Sequence, residues 1–332
     1  MFKSQEYEML DFGAGRRLER LSELILDRPC PSAEGIRRAM PRLWEHADAK
    51  FIQNKNVTSK NNAASLGVRG YWTPLTEVGA KYFDLPSKNS NAPQQSSRSW
   101  FLPYGERFTF ELKGSAFGHV GVFPEQASNW DRIMRLCEEA QNVTNASPVI
   151  LNLFGYTGGS TLAAASTGAQ VTHVDAARNI VAQARRNAES SFQNQMGEAR
   201  EGVGAIRWIA DDAVKYVKRE QKRGSVYNGI ILDPPSYGHG ARGEVWRLSR
   251  DLEPLLQRCV DLLATDFAFI MLTCHTPQFE YQRLASIVTH LLRNRFGYDI
   301  RLETEAHAME ITSRNGARLH AGDLALIVLR NP

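Results

Sequence analysis

Cysteine is scarce in these 332 residues, occurring only as Cys30, Cys137, Cys259 and Cys274. No two form a Cys-x-x-Cys pair and no histidine stands near them at zinc-ligand spacing, which argues against a disulfide framework or a metal centre. Cys137 and Cys259 sit among leucines in helical segments and read as small apolar core fillers. Long apolar runs are also missing, and no basic stretch leads into an apolar one. Neither a membrane span nor secretion is indicated, and a cytoplasmic setting is expected. Neither sign of charge prevails: 40 basic against 36 acidic residues leave a net charge of +4, which permits nucleic-acid binding without arguing for it. No segment repeats.

What is present is a chain of ordinary globular composition, 42% hydrophobic and 23% charged, long enough for one large domain and a smaller one. Its most informative run is Pro148-Val-Ile-Leu-Asn-Leu-Phe-Gly-Tyr-Thr-Gly-Gly-Ser-Thr161. Val149 to Leu153 is apolar without alternation, as a strand covered on both faces of a parallel sheet should be. Gly155, Gly158 and Gly159 then allow a tight turn and close approach of a ligand. Ser160 or Thr161 is expected to cap the alanine-rich helix that follows. A second strand, Gln170 to Val174, ends on Asp175, about 20 residues past Gly155, where such folds place a carboxylate for ribose hydroxyls. The spacing Gly-x-x-Gly-Gly, flanked by Phe154 and Tyr156, departs from the Gly-x-Gly-x-x-Gly of a pyrophosphate site. It favours a ligand without a pyrophosphate, such as S-adenosylmethionine, over NAD.

A second run, Asn228-Gly-Ile-Ile-Leu-Asp-Pro-Pro-Ser-Tyr237, is another buried strand ending in an acid, two prolines and an aromatic. The prolines fix φ and remove two donors, so the turn offers carbonyls and the Asp233 carboxylate as acceptors. A nucleobase offers N–H donors to them and a flat ring to Tyr237.

From about Phe108 onward the chain resembles the class I S-adenosylmethionine-dependent methyltransferases, and among them the bacterial large-subunit ribosomal RNA methyltransferases of the cytosine-5 type. The resemblance rests on Leu151 to Gly159, Asp175, Ala210-Asp-Asp-Ala213, Asp233 to Tyr237 and Leu272-Thr-Cys-His275. Upstream, Gly118-His-Val-Gly-Val-Phe-Pro-Glu-Gln126 is similar to that family's Gly-Phe-Phe-Leu-Asp-Gln segment. The resemblance implies S-adenosylmethionine as cofactor and RNA as partner. Phe154, Gly155, Tyr156, Thr157, Gly158 and Gly159 would wrap methionine and ribose, with Gln126 alongside. Asp175 would take the ribose hydroxyls, and Asp211 or Asp212 the adenine amine, the other capping the next helix. Cys274 would be the nucleophile that adds to cytosine and Asp233 would hold the ring. Pro234, Pro235, Tyr237 and Arg242 would contact the substrate. The family's Ser-Cys-Ser reads Thr-Cys-His here, and the extended stretch is expected to turn His275 away from Cys274 while Cys274 and Asp233 face one crevice. Two alternatives stand beside this: N-methylation of a purine exocyclic amine or protein glutamine amide through the Asp-Pro-Pro-Ser-Tyr motif, and a catalytically inactive cofactor- or RNA-binding module.

Alternating strands and amphipathic helices predict an α/β fold, a doubly wound and mostly parallel sheet of about seven strands, with a smaller β-containing N-terminal region. The apolar stripes are Ala177 to Ala188, Leu252 to Leu263 and Phe279 to Leu292, the second after the capping candidate Ser249, and Asn315-Gly316 marks a hairpin. The expected division is an accessory region, 1–105, and a methyltransferase domain, 106–332, opened by a hairpin over 106–130 that pairs Phe108 to Leu112 with Val120 to Phe123. In the accessory region, Glu6 to Phe12 and Arg16 to Leu21 form a hairpin, and Arg16, Arg17 and Arg20 lie on a solvated face or grip RNA. Ser87 to Ser99 is a polar linker.

Overall fold

The computed structural model describes residues 1–54, 69–84, 98–193, 200–239 and 245–330. The polar linker therefore lies almost wholly outside the described residues, and so does Arg242. Contacts divide the chain into two units, Met1–Ala127 with Glu310–Ala321, and Ser128–Met309 with Gly322–Pro332.

The first unit holds β1 (Tyr7–Gly13), β2 (Arg16–Leu21), β3 (Leu24–Pro29), β4 (Ala49–Gln53) and β5 (Gly70–Pro74) in one sheet, ordered as in the chain. Each neighbouring pair is antiparallel except β3 with β4. The β1–β2 hairpin turns through Ala14 and Gly15, both at positive φ, where it was expected to turn. A one-turn helix α1 (Glu77–Ala80) follows, capped by Thr76.

Two expectations are corrected in this unit. β7 (Phe108–Leu112) pairs with β6 (Trp100–Tyr104), not with Val120 to Phe123. Trp100 and Leu102 are both buried and face it with aromatic and aliphatic side chains, whereas Val120 to Phe123 forms no strand and meets the end of β7 where Lys113 N–H donates to the Val120 carbonyl at 3.0 Å. Nor do the arginines form a solvated face. Arg16 pairs with Asp27, Arg17 with Glu19 at 3.1 Å, and Arg20 with Glu8 at 4.0 Å.

Glu19 is fully buried and accepts from Arg28 at 2.5 and 2.8 Å and from Tyr7 Oη at 2.8 Å. Burial alone would raise its carboxyl; Arg17 and Arg28 outweigh that and hold it below the usual carboxylate range.

The second unit is built on α2 (Ala127–Thr144), β8 (Val149–Leu153), α3 (Gly159–Ala165), β9 (Gln170–Asp175), α4 (Arg178–Phe192), β10 (Ile206–Ala210), α5 (Ala213–Arg223) and β11 (Gly229–Leu232). It continues with β12 (Tyr237–His239), β13 (Val245–Arg247), α6 (Leu248–Val260), β14 (Phe267–Cys274), α7 (Tyr281–Phe296), β15 (Leu302–Thr312) and β16 (Arg318–Arg330). The tip of the β15–β16 hairpin, at Asn315-Gly316 as expected, belongs to the first unit. No described helix is long and apolar enough to cross a membrane.

Seven strands run in the order β10-β9-β8-β11-β14-β16-β15. β10, β9, β8, β11 and β14 are parallel, and β16 returns antiparallel to β14. This is the expected doubly wound α/β sheet. Leu151, Leu153, Ile230, Leu232, Ile270, Leu272 and Cys274 all face one side, packed with Leu252, Leu256 and Cys259 of α6 and Leu284, Val288 and Leu292 of α7. The predicted stripes of those helices are thus their buried faces. Cys137 and Cys259 are buried as predicted, and burial pushes the Cys137 thiol up to about 12.

Replacing Glu19 by Gln strands two buried guanidinium groups, and denaturant unfolding at neutral pH should show a loss of roughly 3–5 kcal/mol. The Glu19 contribution is full above an unfolded carboxyl pKa of about 4.3 and shrinks as pH falls toward the lower folded value. The gap between variant and wild type should therefore narrow in acid.

Candidate cofactor and acceptor site

Sheet order turns two separate sequence signals into neighbours. Strands to one side of β8 run back through β9 and β10, and those to the other run through β11 and β14, so the sheet switches direction between β8 and β11. In register, Leu153 pairs with Leu232. The glycine loop leaving β8 and the Asp-Pro-Pro turn leaving β11 hence start side by side at the carboxyl edge, where open α/β sheets hold ligands.

The glycine loop is held by unusual backbone. Phe154 and Tyr156 have φ of 56° and 48°, a left-handed conformation that costs a non-glycine residue on the order of 1 kcal/mol. Asp175 offsets that cost. Its Oδ2 accepts from Tyr156 N–H at 3.0 Å and its Oδ1 from Ala177 N–H at 2.9 Å, so one carboxylate fastens both the loop and the start of α4. Burial raises the Asp175 carboxyl, while these two hydrogen bonds pull it back. Asn187 of α4 adds a bond from Nδ2 to the Thr157 carbonyl at 2.9 Å.

Beneath the loop lies a buried polar chain. Asn152 Nδ2 donates to Thr161 Oγ1 at 2.8 Å, and that hydroxyl lies 2.9 Å from His173 Nδ1. Burial pushes His173 down to about 3, so its ring is neutral and Nδ1 can accept the Thr161 proton. Thr161 is therefore engaged below the loop and does not cap α3. The N-cap is Gly158 at φ 96°, with no side-chain cap, in place of the expected Ser160 or Thr161. Ser249 likewise lies inside α6, whose N-cap is Arg247. A Cβ on Gly155 would stand 2.5 Å from the His173 ring, and one on Gly159 would stand 2.6 Å from the Trp130 ring. These glycines let the loop lie flat on its support.

Along the same edge, Asp211 N–H donates to the Asp175 carbonyl at 3.0 Å. Asp212 is the N-cap of α5, accepting from Lys215 N–H at 2.9 Å, and the Asp211 carboxylate pairs with Arg219 at 2.5 Å. Phe154, Gly155, Tyr156, Asp175, Asp211 and Asp233 are all half-buried, forming a partly open rim on consecutive strand ends. That donor set fits a nucleoside: carboxylates for hydroxyls and an amine, and a loop with few protruding side chains. Gln126 is a residue of the first unit, buried in the 3₁₀ turn Pro124–Gln126, so it is no surface amide.

At the acceptor turn, Thr273 Oγ1 donates to Asp233 Oδ1 at 2.7 Å, and His275 Nε2 lies 3.4 Å from the same oxygen. Strand alternation explains the pair, since residues 273 and 275 share a face and 274 takes the other. Cys274 is buried in the apolar cluster under α6 and α7, and its Sγ accepts from Thr276 N–H at 3.4 Å. Burial pushes its thiol up, the Thr276 bond opposes, and the carboxylates of Asp233 and Asp323 push it further up. Cys274 is thus within electrostatic reach of Asp233, but its sulfur points into the core and not into the crevice where it was expected.

Pro234 is buried and Pro235 exposed. The Pro235 carbonyl accepts from Trp246 Nε1 at 2.7 Å, and the Trp246 ring packs on Phe154 at 5.1 Å, so one indole joins the two loops. Tyr237 opens the short strand β12, which pairs antiparallel with β13. Trp246 carried no sequence signal, and neither did the pairing of Thr273 with Asp233 or the Asn152–Thr161–His173 chain, because each works through a partner remote in the chain.

The family model of S-adenosylmethionine-dependent methyltransferases matches residues 120–286. A methyltransferase of that dependence from Agrobacterium tumefaciens is similar in structure, with a TM-score of 0.74 and 27% identity over 98% of this chain and 90% of that one. Curated relatives match in sequence as well. Ribosomal RNA large subunit methyltransferase K/L of Shewanella sp. (strain MR-4) is 29% identical over 165 residues, 48% of this chain and 20% of its own length. Ribosomal RNA large subunit methyltransferase I of Aeromonas salmonicida is 25% identical over 159 residues, 47% of this chain and 36% of its own length. The chain thus spans well under half of these relatives.

Gly155→Ala should force the loop off His173 and cost ~1–3 kcal/mol in denaturant unfolding. An unchanged midpoint would show that the loop is not seated on that ring.

Proposed function

The chain belongs to the S-adenosylmethionine-dependent methyltransferases, and from that membership we propose that its acceptor is a base of RNA, foremost of large-subunit ribosomal RNA, seated against Asp233. The names of the relatives that match about half the chain support the RNA class. An acceptor turn with a carboxylate, a double proline and a half-buried tyrosine supports a flat ring with an N–H donor.

When bound, S-adenosylmethionine supplies a methyl group on a positively charged sulfur. The chain's residues have the tasks of holding it, excluding competing water and presenting the acceptor. Phe154 to Gly159 hold the methionine and ribose part and Asp175 the ribose hydroxyls. Each Asp175 oxygen accepts one backbone N–H and keeps a second lone pair for a hydroxyl. Asp212 caps α5 through one oxygen, and Asp211 accepts from Asp212 N–H at 2.8 Å and pairs with Arg219, so the adenine amine falls to a remaining lone pair of one of these two carboxylates. Pro234, Pro235 and Tyr237 shape the acceptor side, and a base from a duplex must be flipped out to reach them.

Direct attack by an amine nitrogen on the methyl group fits the geometry better than thiolate addition to cytosine. One observation carries this choice: Asp233 is reached by Thr273 and His275, while the Cys274 sulfur is buried with its thiol pushed up. A thiol that ionises reluctantly and points away from the crevice is a poor nucleophile. The purine exocyclic amine is therefore the first reading and C5 of cytosine the second.

Incubation with methyl-labelled S-adenosylmethionine and total RNA from cells lacking the gene should label RNA, and nucleoside mass spectrometry should find the methyl on a purine amine. Label in protein alone would overturn the RNA reading, and cofactor binding without any transfer would point to an inactive module. Cys274→Ala should keep turnover within about threefold of wild type, whereas a loss of about 10³-fold or more would restore the covalent cytosine route. Asp175→Ala should weaken S-adenosylhomocysteine binding by about tenfold or more in calorimetry.

A further inference from the structure

His275 departs from the Ser-Cys-Ser pattern of the family, and the structure gives that departure a use. It is the residue after β14, on the face of Thr273, and its Nε2 lies 3.4 Å from Asp233 Oδ1, the oxygen that already accepts from Thr273 Oγ1 at 2.7 Å. The antiparallel register pairs Cys274 with Asp323, which places Gly322 opposite His275. Gly322 has φ of 120°, and a Cβ there would stand 2.7 Å from His275 Nδ1 and 2.9 Å from Met309 Cε. The imidazole thus lies over a stretch of backbone that must have no side chain. Glycine at this position both permits the left-handed backbone and opens the seat for the ring. Two elements, the end of β14 and the start of the paired segment of β16, are fitted to hold one ring against one carboxylate oxygen.

We propose that His275 is a positioning residue for methyl transfer: with Thr273 it fixes Asp233 through a shared oxygen, so that the carboxylate meets the acceptor N–H in one orientation, and Gly322 is the seat that makes this possible. The proposal rests on the reading of Asp233 as the group that holds the acceptor. A carboxylate that accepts from Thr273 at Oδ1 and has the His275 ring 3.4 Å from the same oxygen is restrained in rotation about χ2, and the orientation of the acceptor nitrogen toward the methyl carbon inherits that restraint. His275 lies against Asp233 and acts through it. Its loss should therefore lower kcat and leave cofactor affinity alone.

The test compares His275→Ala, His275→Gln, Gly322→Ala and Asp233→Asn in the full chain, with labelled S-adenosylmethionine and the undermethylated total RNA as substrate. His275→Ala should lower kcat about ten- to a hundredfold with KM for S-adenosylmethionine within about twofold of wild type. His275→Gln, whose amide can donate to the same oxygen, should recover most of that loss. Gly322→Ala should reproduce the kcat defect, and combining it with His275→Ala should add little, since both act on one contact. A purely structural role would instead lower the unfolding midpoint of His275→Ala and raise KM, without rescue by Gln. Wild-type kcat in His275→Ala, together with strong loss in Asp233→Asn, overturns the proposal and leaves the Asp233 reading intact. Wild-type turnover in Asp233→Asn overturns that reading, and the proposal with it.

Discussion

Leu153 and Leu232 pair across parallel strands where the sheet reverses its winding, and the candidate site of the second unit depends on that pairing. Strands of a parallel sheet lie about 5 Å apart, so two chain segments separated by nearly eighty residues emerge at one edge with their first free residues, Phe154 and Asp233, adjacent. A donor loop and an acceptor turn could be placed on many scaffolds. Here their separation is set by backbone hydrogen bonds between buried strands, which water cannot compete for, and the spacing is therefore among the stiffest distances in the unit.

The loop on one side of that edge holds an unfavourable backbone, and its surroundings balance the cost. Two non-glycine residues sit at positive φ, a buried neutral histidine lies below them, and a threonine that could have capped α3 is turned under the loop. The balance comes from the Asp175 carboxylate above and the Asn152–Thr161–His173 chain below, each linking elements far apart in sequence. Polar groups in an apolar core are costly unless paired, and once paired they admit very few arrangements. That selectivity holds the glycine loop in one conformation at the edge of the sheet.

Strand alternation governs the acceptor side. In Thr273-Cys274-His275 the outer two residues face Asp233 and the middle one faces the leucines of α6 and α7. A shift of one residue in the register of β14 would exchange these roles, bringing the thiol to the crevice and burying two polar side chains. The antiparallel partner β16 fixes the register through eight consecutive pairs, from Phe267 with Arg330 to Cys274 with Asp323. Which side chains reach Asp233 is thus decided by the hydrogen-bond ladder between β14 and β16.

The alternating strands and stripes, the glycine loop, Asp175, the Asp-Pro-Pro turn and the buried roles of Cys137 and Cys259 were all legible in the sequence by itself. Each is a local pattern: an apolar run of one period, a turn residue, or an acid at a strand end, and local patterns follow from backbone geometry within a few residues. Only the tertiary structure decided which side chains meet. It paired β7 with β6, drew Arg16, Arg17 and Arg20 into ion pairs, made Asp212 the cap of α5 and paired Asp211 with Arg219. It also turned Thr273 and His275, not Cys274, toward Asp233. Those outcomes depend on register and on partners tens to hundreds of residues away, and the free energy of a buried pair is a property of both members that neither one's neighbours in the chain can reveal.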